Sequence, residues 1–306
     1  MSSTDKQGWF PPGQVSRRDV LVTGALTVSA ACAGGLIRRV FGSHDNQLAA
    51  GSEGAAAVTT IGLHSELGWN DLRSYAALPP KEKGALHRGP KETKRIALTV
   101  DDFTGTVGID YLEPLLNYNV PLTLFPTGAA LDAFGRAKKG DLWKRAILSG
   151  MVVGNHTYHH YLQPESGKGF KDLNRSVRAS EVTLAQSALD SVLGHAYPMK
   201  FMRPPGGSGG FGEKDSTVVS EMAALGLWTC MWTLDSNDDE KHRINPGDDF
   251  FLSKVHKVLE TDKYGGNGAI VLIHPTTLSI GGMGKMIELV TSRGLTPTTI
   301  PGLYGA

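Results

Sequence analysis

From residue 95 onward, short apolar runs alternate with longer segments in which apolar residues recur every three or four positions. The short runs predict buried strands, and the longer segments predict amphipathic helices. Strands are predicted at 96–100, 120–125, 151–154, 200–202, 227–234, 269–273 and 296–300. Helices are predicted at 109–117, 142–148, 173–193, 217–225, 250–259 and 286–292.

The alternation of strands with helices predicts an α/β fold built on a parallel sheet. Seven predicted strands indicate a β/α barrel with fewer units than the eight-fold form. Periodicity alone does not distinguish such a barrel from an open sheet, so both architectures remain possible on this evidence.

The chain before this regular region divides into two segments. Residues 1–41 carry Arg17 and Arg18 ahead of an apolar run rich in glycine and alanine. This order is typical of a twin-arginine export signal, and the alternative is an uncleaved membrane anchor. Residues 42–94 are interpreted as a linker and N-terminal extension, which leaves 95–306 as the functional domain. We therefore expect contact with export machinery and a location in the envelope, the periplasm or outside the cell.

Composition narrows the classes of partner. The 306 residues include 31 Lys and Arg against 30 Asp and Glu, a formal net charge of +1. So balanced a charge produces no long-range field that attracts nucleic acid or anionic lipid. No nucleic-acid partner is expected, and membrane contact is expected only through the N-terminal segment.

Polar residues follow the predicted strands at their carboxyl ends. In parallel α/β folds the loops converge at that end and build the functional site. The polar residues at these positions are Asp101, Asp102, Asn155, His156, Arg203, Asp235 and His274.

His156 and His160 are four residues apart in the run HTYHH. On a helical turn they would share one face and reach one metal ion, although a surface or capping role is the alternative for the pair by itself. With a carboxylate from a neighbouring strand, two histidines form a common catalytic zinc set that leaves one position open.

Asp101 and Asp102 are adjacent at the end of the first predicted strand. On extended backbone their side chains point in opposite directions, so one can bind metal while the other faces substrate. Helix capping is the alternative, which the Thr-Gly-Thr-Val spacer before the predicted helix disfavours.

Two further strand ends carry ionisable groups. Arg203 precedes two prolines that stiffen the backbone, and it serves either as a structural ion pair or as the group that holds Asp101 ionised. His274 ends an apolar strand before Pro275 and is either a general acid or a structural histidine.

Five segments together resemble a known family. In order they are ALTVDD, HTYHH, RPPG, WTLDSND and LIH, from about residue 95 to the C-terminus. They resemble the five motifs of the polysaccharide deacetylases of carbohydrate esterase family four, which share the NodB homology domain. The resemblance implies a distorted (β/α)7-type barrel, one divalent metal and an acetylated polysaccharide or oligosaccharide as substrate. Zn²⁺ is the expected metal, and Co²⁺, Ni²⁺ and Mn²⁺ are alternatives.

The resemblance also implies a role for each residue that matches a motif. Asp101 would be the general base and His274 the general acid, with Arg203 tuning the base and Asp238 orienting the acid. Zinc would activate water and polarise the acetamide, and the acid would protonate the departing amine. The implied metal ligands are Asp102, His156 and His160, and the implied oxyanion or substrate residues are Pro205, Gly206 and Asp235.

Three positions depart from the family pattern. Phe103 stands where glycine is usual, Gly206 where an aromatic residue is usual, and Asp239 where tryptophan is usual. We expect a reduced aromatic wall, and we expect Phe103 to occupy space that substrate normally uses. We expect that the backbone N–H after Pro205 can still complete an oxyanion site, because a side chain is not needed for that contact.

The leading hypothesis is therefore hydrolysis of N-acetyl, or alternatively O-acetyl, groups on an envelope or environmental glycan. Two other hypotheses remain open at this point. One is a non-catalytic glycan-binding protein on the same fold, and the other is a hydrolase of small non-sugar amides.

Overall fold

The computed structural model describes residues 75–162, 169–211, 217–238 and 250–306. The predicted signal or anchor, the linker up to residue 74 and Asp239 lie outside the described residues. Among the helices within these ranges, none combines the length and the apolar character that a bilayer crossing requires.

Parallel strands form the centre of the domain. The larger sheet has the order β3-β2-β1-β7-β6, with β8 pairing beside the start of β1, while β4 and β5 form a second pair. Every one of these strand pairs is parallel, which confirms the α/β prediction. The strands are β1 (Arg95–Asp102), β2 (Thr123–Pro126), β3 (Val152–Val153), β4 (Phe201–Met202), β5 (Trp228–Thr229), β6 (Leu234–Asp235), β7 (Ile270–Ile273) and β8 (Thr296–Thr298).

Backbone hydrogen bonds connect the two sheets into a ring. After β3, the N–H of Asn155 donates to the carbonyl of Phe201 at 2.8 Å, which joins β3 to β4. After β5, the N–H of Met231 donates to the carbonyl of Leu86 at 2.8 Å, and Arg88 bridges to Ala269 just before β7. The result is the distorted barrel that the family resemblance implies, and residues 86–88 of the predicted extension complete it.

Helices surround this ring. Helix α2 packs on α4 and covers one side of β2, and the remaining helices follow the strands in order. They are α1 (Gly105–Asn117), α2 (Gly128–Arg136), α3 (Asp141–Leu148), α4 (Arg175–Leu193), α5 (Thr217–Ala224), α6 (Phe250–Thr261), α7 (Thr277–Ser292) and α8 (Ile300–Leu303).

Helix α2 was not predicted from the sequence. Its nine residues are rich in alanine and glycine, and only Leu131 and Phe134 are large buried side chains, so few large apolar residues mark the segment as a helix. The helix starts because the Thr127 side chain accepts a hydrogen bond from the N–H of Ala130. A cap and tertiary packing thus produce a helix that periodicity did not indicate.

The strand predicted at 227–234 is wrong as a single element. It is two strands, because the chain changes partners in the middle: β5 pairs with β4, and β6 pairs with β7. Cys230 and Met231 lie between them and are fully buried, so the apolar run continues although the strand does not.

Several helix and strand ends also differ from prediction. Helix α1 begins at Gly105 instead of 109, and α7 begins at Thr277 instead of 286, since glycine-rich turns conceal the helical pattern at these starts. The last strand ends at Thr298, because Thr299 caps helix α8 by accepting the N–H of Gly302.

Phe103 does not lie in the substrate groove, so that expectation is wrong. Its side chain is fully buried in the main core. The ring packs edge-on against Trp143 at 5.2 Å and against Tyr111 at 6.2 Å between centroids. A left-handed backbone at Phe103, with φ of 57°, turns the side chain beneath the end of β1 and into the space between α1 and α3. Phe103 therefore contributes to the packing of the core.

Candidate metal centre

The predicted polar residues do meet at the carboxyl ends of the parallel strands. Strand β1 supplies Asp101 and Asp102, and the segment after β3 supplies His156 and His160. Arg203 follows β4, and His274 follows β7. These strands belong to one ring of parallel strands, so residues far apart in sequence reach one edge of the barrel.

Asp102, His156 and His160 form the only cluster of potential ligands that the described residues contain. Their ligand atoms all lie within 4.8 Å of one another. Oδ1 of Asp102 is 3.1 Å from Nε2 of His156 and 3.1 Å from Nε2 of His160. This oxygen is buried and accepts no well-formed hydrogen bond. Two nitrogens and an unsatisfied carboxylate oxygen fit a divalent zinc-type cation.

The four-residue spacing predicts that the two histidines lie on a helical turn, and this prediction is wrong. Residues 156–160 form an irregular loop, in which Thr157 has φ of 63° and His160 has φ of 56°. These left-handed positions curl the chain so that the ring centroids of His156 and His160 come within 4.9 Å. The convergence was predicted, but the backbone that achieves it was not.

The expectation that the Asp101 and Asp102 side chains point in opposite directions is also wrong. Asp102 has φ of 71°, so the chain leaves extended geometry at this residue. Both carboxylates approach Nε2 of His156, which lies 3.7 Å from Oδ2 of Asp101 and 3.1 Å from Oδ1 of Asp102. The two groups nevertheless have different environments, because Asp101 is almost fully buried and Asp102 is partly exposed.

The tautomer of His156 is set by the backbone. Its Nδ1 lies 2.7 Å from the carbonyl oxygen of Arg203, and a carbonyl only accepts, so Nδ1 is the donor. In the neutral ring Nε2 then carries the lone pair and faces Asp102. A second hydrogen bond of this kind is the usual support of a metal-binding histidine.

Arg203 is fully buried and all its contacts are fixed. Nη1 donates to Oδ1 of Asp101 at 2.7 Å and to Oγ1 of Thr99 at 2.8 Å. Nε and Nη2 donate to the carbonyls of Cys230 and Met231. The guanidinium thus supplies the positive charge that a buried Asp101 carboxylate needs, and it fixes that carboxylate's orientation.

His274 is held by one carboxylate at two points. Oδ2 of Asp238 accepts the backbone N–H of His274 at 2.8 Å, and Oδ1 lies 3.0 Å from its ring Nδ1. Burial alone would lower the pKa of His274, but the hydrogen bond with Asp238 and the negative charges of Asp102, Asp238 and Asp101 outweigh it and raise this pKa to about 10. In the metal-free chain the ring is therefore protonated at neutral pH.

The ligand cluster shows the same electrostatic balance. Burial opposes ionisation of Asp102, yet the imidazoles of His156 and His160, each 3.1 Å from its Oδ1, hold the pKa of Asp102 well below its usual range. Burial likewise works against the charged form of His156, while Asp101 and Asp102 raise its pKa. A bound cation would take the place of these protons, because metal ligands must be deprotonated.

Glu181, on α4, anchors the histidine loop and was not identified from the sequence. This buried carboxylate accepts the N–H of Tyr158 at 3.1 Å and of His159 at 2.8 Å through Oε2. Its Oε1 lies 2.7 Å from Nδ1 of His159. The amide of Asn155 also donates to the carbonyl of Val182 on the same helix. The sequence contains one signal for this role, because Glu181 falls on the apolar face of the helix predicted at 173–193.

The other predicted site residues have more local surroundings. Asp235 ends β6 and accepts the N–H of Asn237 at 2.8 Å, which turns the chain towards Asp238. Pro205 and Gly206 form a tight turn two residues after Arg203. Thr99 was missed, although a threonine inside an apolar strand is a signal for an internal polar contact.

Comparison with known families shows what part of the domain is similar to. Residues 88–229 match the polysaccharide deacetylase family. This part of the chain is similar to a polysaccharide deacetylase domain. The family match contains four of the polar groups described above, namely Asp101, Asp102, the His156–His160 loop and Arg203. The segment after residue 229 lies beyond the match and contributes Asp238 and His274.

Two relatives are similar to this domain at modest identity. A peptidoglycan-N-acetylglucosamine deacetylase of Bacillus cereus is 25% identical over 229 residues, which cover 71% of this chain and 70% of that protein. A chitin deacetylase of Colletotrichum lindemuthianum is 26% identical over 214 residues, covering 69% and 79% respectively. Across the relatives it matches, the chain spans between 66% and 79% of their own lengths.

Solved structures share the fold of the deacetylase domain. The Colletotrichum chitin deacetylase superposes with a TM-score of 0.60 at 24% identity, covering 74% of this chain and 92% of that one. A family 4 pseudoenzyme from Bacillus anthracis superposes with a TM-score of 0.57 at 23% identity, covering 74% and 70%. The predicted NodB-like deacetylase fold is thereby confirmed.

Replacing Glu181 with glutamine should loosen the histidine loop. The amide has one acceptor oxygen in place of two and no charge, and hydrogen bonds to charged groups contribute about 1.5–3 kcal/mol each. We expect the amides of Tyr158 and His159 to exchange with solvent roughly tenfold faster or more, measured by hydrogen exchange with NMR detection.

Glu221→Gln is the matched control for this experiment. Glu221 on α5 also accepts hydrogen bonds from a residue of α4, namely Arg178, at 2.7 and 2.8 Å. That pair does not contact residues 156–160. Equal exchange at Tyr158 and His159 in wild type and Glu181→Gln would contradict the anchoring role.

Replacing Asp238 with asparagine should lower the pKa of His274. Because this pKa is raised from 6.5 to about 10, the protonated ring stabilises the metal-free fold fully below about pH 6.5, and the contribution is lost as the pH rises towards 10. In Asp238→Asn the NMR titration of the His274 ring should shift to lower pH. Asp141→Asn, which removes an exposed carboxylate on α3, should leave it unchanged. An identical midpoint in both variants would contradict the assignment.

Proposed function

We propose that this protein is an exported, metal-dependent hydrolase that removes acetyl groups from N-acetylated, or alternatively O-acetylated, sugars of an envelope or environmental polysaccharide. One observation supports this proposal above the others. The buried Oδ1 of Asp102 lies 3.1 Å from Nε2 of both His156 and His160, and it lacks a well-formed hydrogen bond. A second carboxylate and a protonated histidine belong to the same strand-end cluster.

The ligand set suits zinc, with Co²⁺, Ni²⁺ or Mn²⁺ as alternatives. Asp102, His156 and His160 would hold the ion and leave a position for solvent or substrate, as in catalytic zinc sites. A bound ion would supply Lewis-acid polarisation of the acetyl carbonyl and a lowered pKa for water. Arg203 supports the set indirectly, because its carbonyl fixes the His156 ring.

Asp101 is the proposed general base. Its Oδ1 is held by Arg203, while Oδ2 lies 3.7 Å from Nε2 of His156 and so faces the ligand cluster. A carboxylate in this position can take the proton of the attacking water. The Arg203 guanidinium keeps its orientation constant, because that group is itself fixed by Thr99 and two carbonyls.

His274 is the proposed general acid. The departing amine is a poor leaving group unless it is protonated, so the reaction needs a proton donor separate from the base. His274 carries a proton at neutral pH in the metal-free chain, and Asp238 fixes the ring through Nδ1. A bound cation would lower this pKa towards neutrality by its positive charge, which would strengthen the acid.

The choice of substrate rests on the family and on the names of its relatives. The peptidoglycan-N-acetylglucosamine deacetylase and the chitin deacetylase both carry names that specify N-acetylated glycans. An export signal would place this chain beside such glycans. Retention by an uncleaved N-terminal anchor is the alternative location on the same side of the membrane.

The full-length protein should release acetate from N-acetylglucosamine oligomers. We expect a chelator to abolish release and Zn²⁺ to restore it, because a bound ion would polarise the acetyl carbonyl and lower the pKa of the attacking water. The measurement is enzymatic detection of acetate, combined with product analysis on chitin, peptidoglycan and xylan fragments and on a panel of small amides. Acetate release that is indifferent to chelator would contradict the proposal.

A non-catalytic glycan-binding protein is the competing function. Gly206 favours it, since this position lacks the aromatic side chain usual in the family. The glycan-binding function predicts that the protein binds metal and hydrolyses no acetylated glycan. Release from small amides alone would instead favour an amidase.

Single substitutions separate the base from the ligands. Asp101→Asn should keep the metal and lose activity by about 10²- to 10⁴-fold, because the ligand atoms remain while the base is gone. His160→Ala should lower metal content, measured by atomic absorption after dialysis. His159→Ala is the matched control, since His159 faces Glu181 and not the cluster. Metal loss in Asp101→Asn would show that the two carboxylates have exchanged roles.

A further inference from the structure

A cavity of about 410 Å³ lies between two segments of chain that continue from residues of the site. One wall consists of Tyr161 and Leu162, which follow His160 directly. The opposite wall is the turn that follows Arg203 and begins at Pro205. Each wall therefore continues from a residue of the site, and a molecule in the cavity would lie beside that site.

Glycines shape the floor of this cavity. Gly206 and Gly207 have φ of 58° and 69°, a conformation that side chains disfavour. A Cβ atom on Gly206 would lie 3.1 Å from the Leu162 side chain, and one on Gly207 would lie 2.5 Å from the ring of Phe211. The aromatic side chain usual at position 206 is therefore replaced here by glycines that let Leu162 and Phe211 approach the turn.

Phe211 is both fixed and accessible. Its ring meets Trp232 edge-on at 4.8 Å with an interplanar angle of 88°, and it lies 5.4 Å from the His87 ring. The side chain nevertheless remains 49% exposed and lines the cavity. Trp232 in turn lies 5.7 Å from the guanidinium of Arg203. Trp232 and the half-exposed ring of Phe211 thus connect the buried Arg203 to the cavity.

The cavity combines this ring with polar groups. Lys171 and Ser208 line it, and the hydroxyl of Ser208 accepts the backbone N–H of Lys171 at 2.9 Å. A pyranose ring has an apolar face of C–H groups and a rim of hydroxyls, which matches an aromatic surface beside polar side chains.

We propose that this cavity is a sugar-binding subsite in which a pyranose ring of the glycan stacks on Phe211. The inference rests on the proposed function, because it assigns to the cavity a sugar next to the one that is hydrolysed. Phe211 is then a specificity-determining residue, which replaces the wall that Gly206 removes.

The test measures binding and turnover with the same variants of the full chain. The probe for binding is the N-acetylglucosamine tetramer, titrated calorimetrically into metal-free protein. Phe211→Ala should weaken binding about tenfold or more, since an aromatic contact area is lost. Phe211→Tyr should bind like the wild type, and Phe211→Leu should not restore the affinity. Leu225→Ala is the matched control, because Leu225 is a 47% exposed apolar residue that does not line the cavity.

In turnover, Phe211→Ala should raise the KM for the tetramer, whereas Leu225→Ala should leave both this KM and the hydrolysis of p-nitrophenyl acetate unchanged. Unaltered tetramer affinity in Phe211→Ala overturns the subsite, as does failure of the wild type to bind any acetylated oligosaccharide from chitin, peptidoglycan or xylan. Weakened binding in a chain that releases no acetate would keep the subsite and refute the hydrolase. Acetate release by the wild type, together with wild-type tetramer affinity in Phe211→Ala, would support the hydrolase and refute the subsite.

Discussion

The site depends on how two adjacent carboxylates at the end of one strand are neutralised. Burying a carboxylate is costly unless a cation or several donors compensate its charge. Asp101 faces the guanidinium of Arg203 at 2.7 Å, and Asp102 faces two imidazoles at 3.1 Å. The left-handed backbone at Asp102 brings both carboxylates to one side while each keeps its own partner. Different partners for chemically identical groups are the physical basis for assigning them different roles.

A second layer of contacts holds these partners in place. Glu181 fixes the histidine loop through two backbone N–H groups, and the carbonyl of Arg203 fixes the His156 ring. Arg203 itself is bound by Thr99 of β1 and by the carbonyls that follow β5. Strands β1, β3, β4 and β5 therefore all constrain the same few atoms, and the geometry is a property of the barrel as a whole.

The departures from the family pattern affect either the packing of the core or the shape of the groove beside the site. Phe103 is fully buried against Trp143, so it supports the core and leaves the groove clear. Gly206 does alter the groove, where Leu162 and Phe211 take the place of a side chain. Solved structures of this fold include both deacetylases and a pseudoenzyme, which illustrates that a fold does not determine activity. The polar residues at the strand ends, and the groove beside them, carry the functional argument.

Much of this architecture is present in local sequence. Apolar periodicity indicated the alternation of strands and helices, and the polar residues after each strand indicated where a site would form, because both patterns are local. The partner change inside 227–234, the cap that starts α2 and the direction of Phe103 were decided by tertiary contacts. The same holds for the loop of His156 and His160, where spacing suggested a helix but left-handed residues and the Glu181 anchor produce the convergence. Sequence determined which chemical groups are available, whereas hydrogen bonds between distant residues decided their orientation, since no local pattern encodes them.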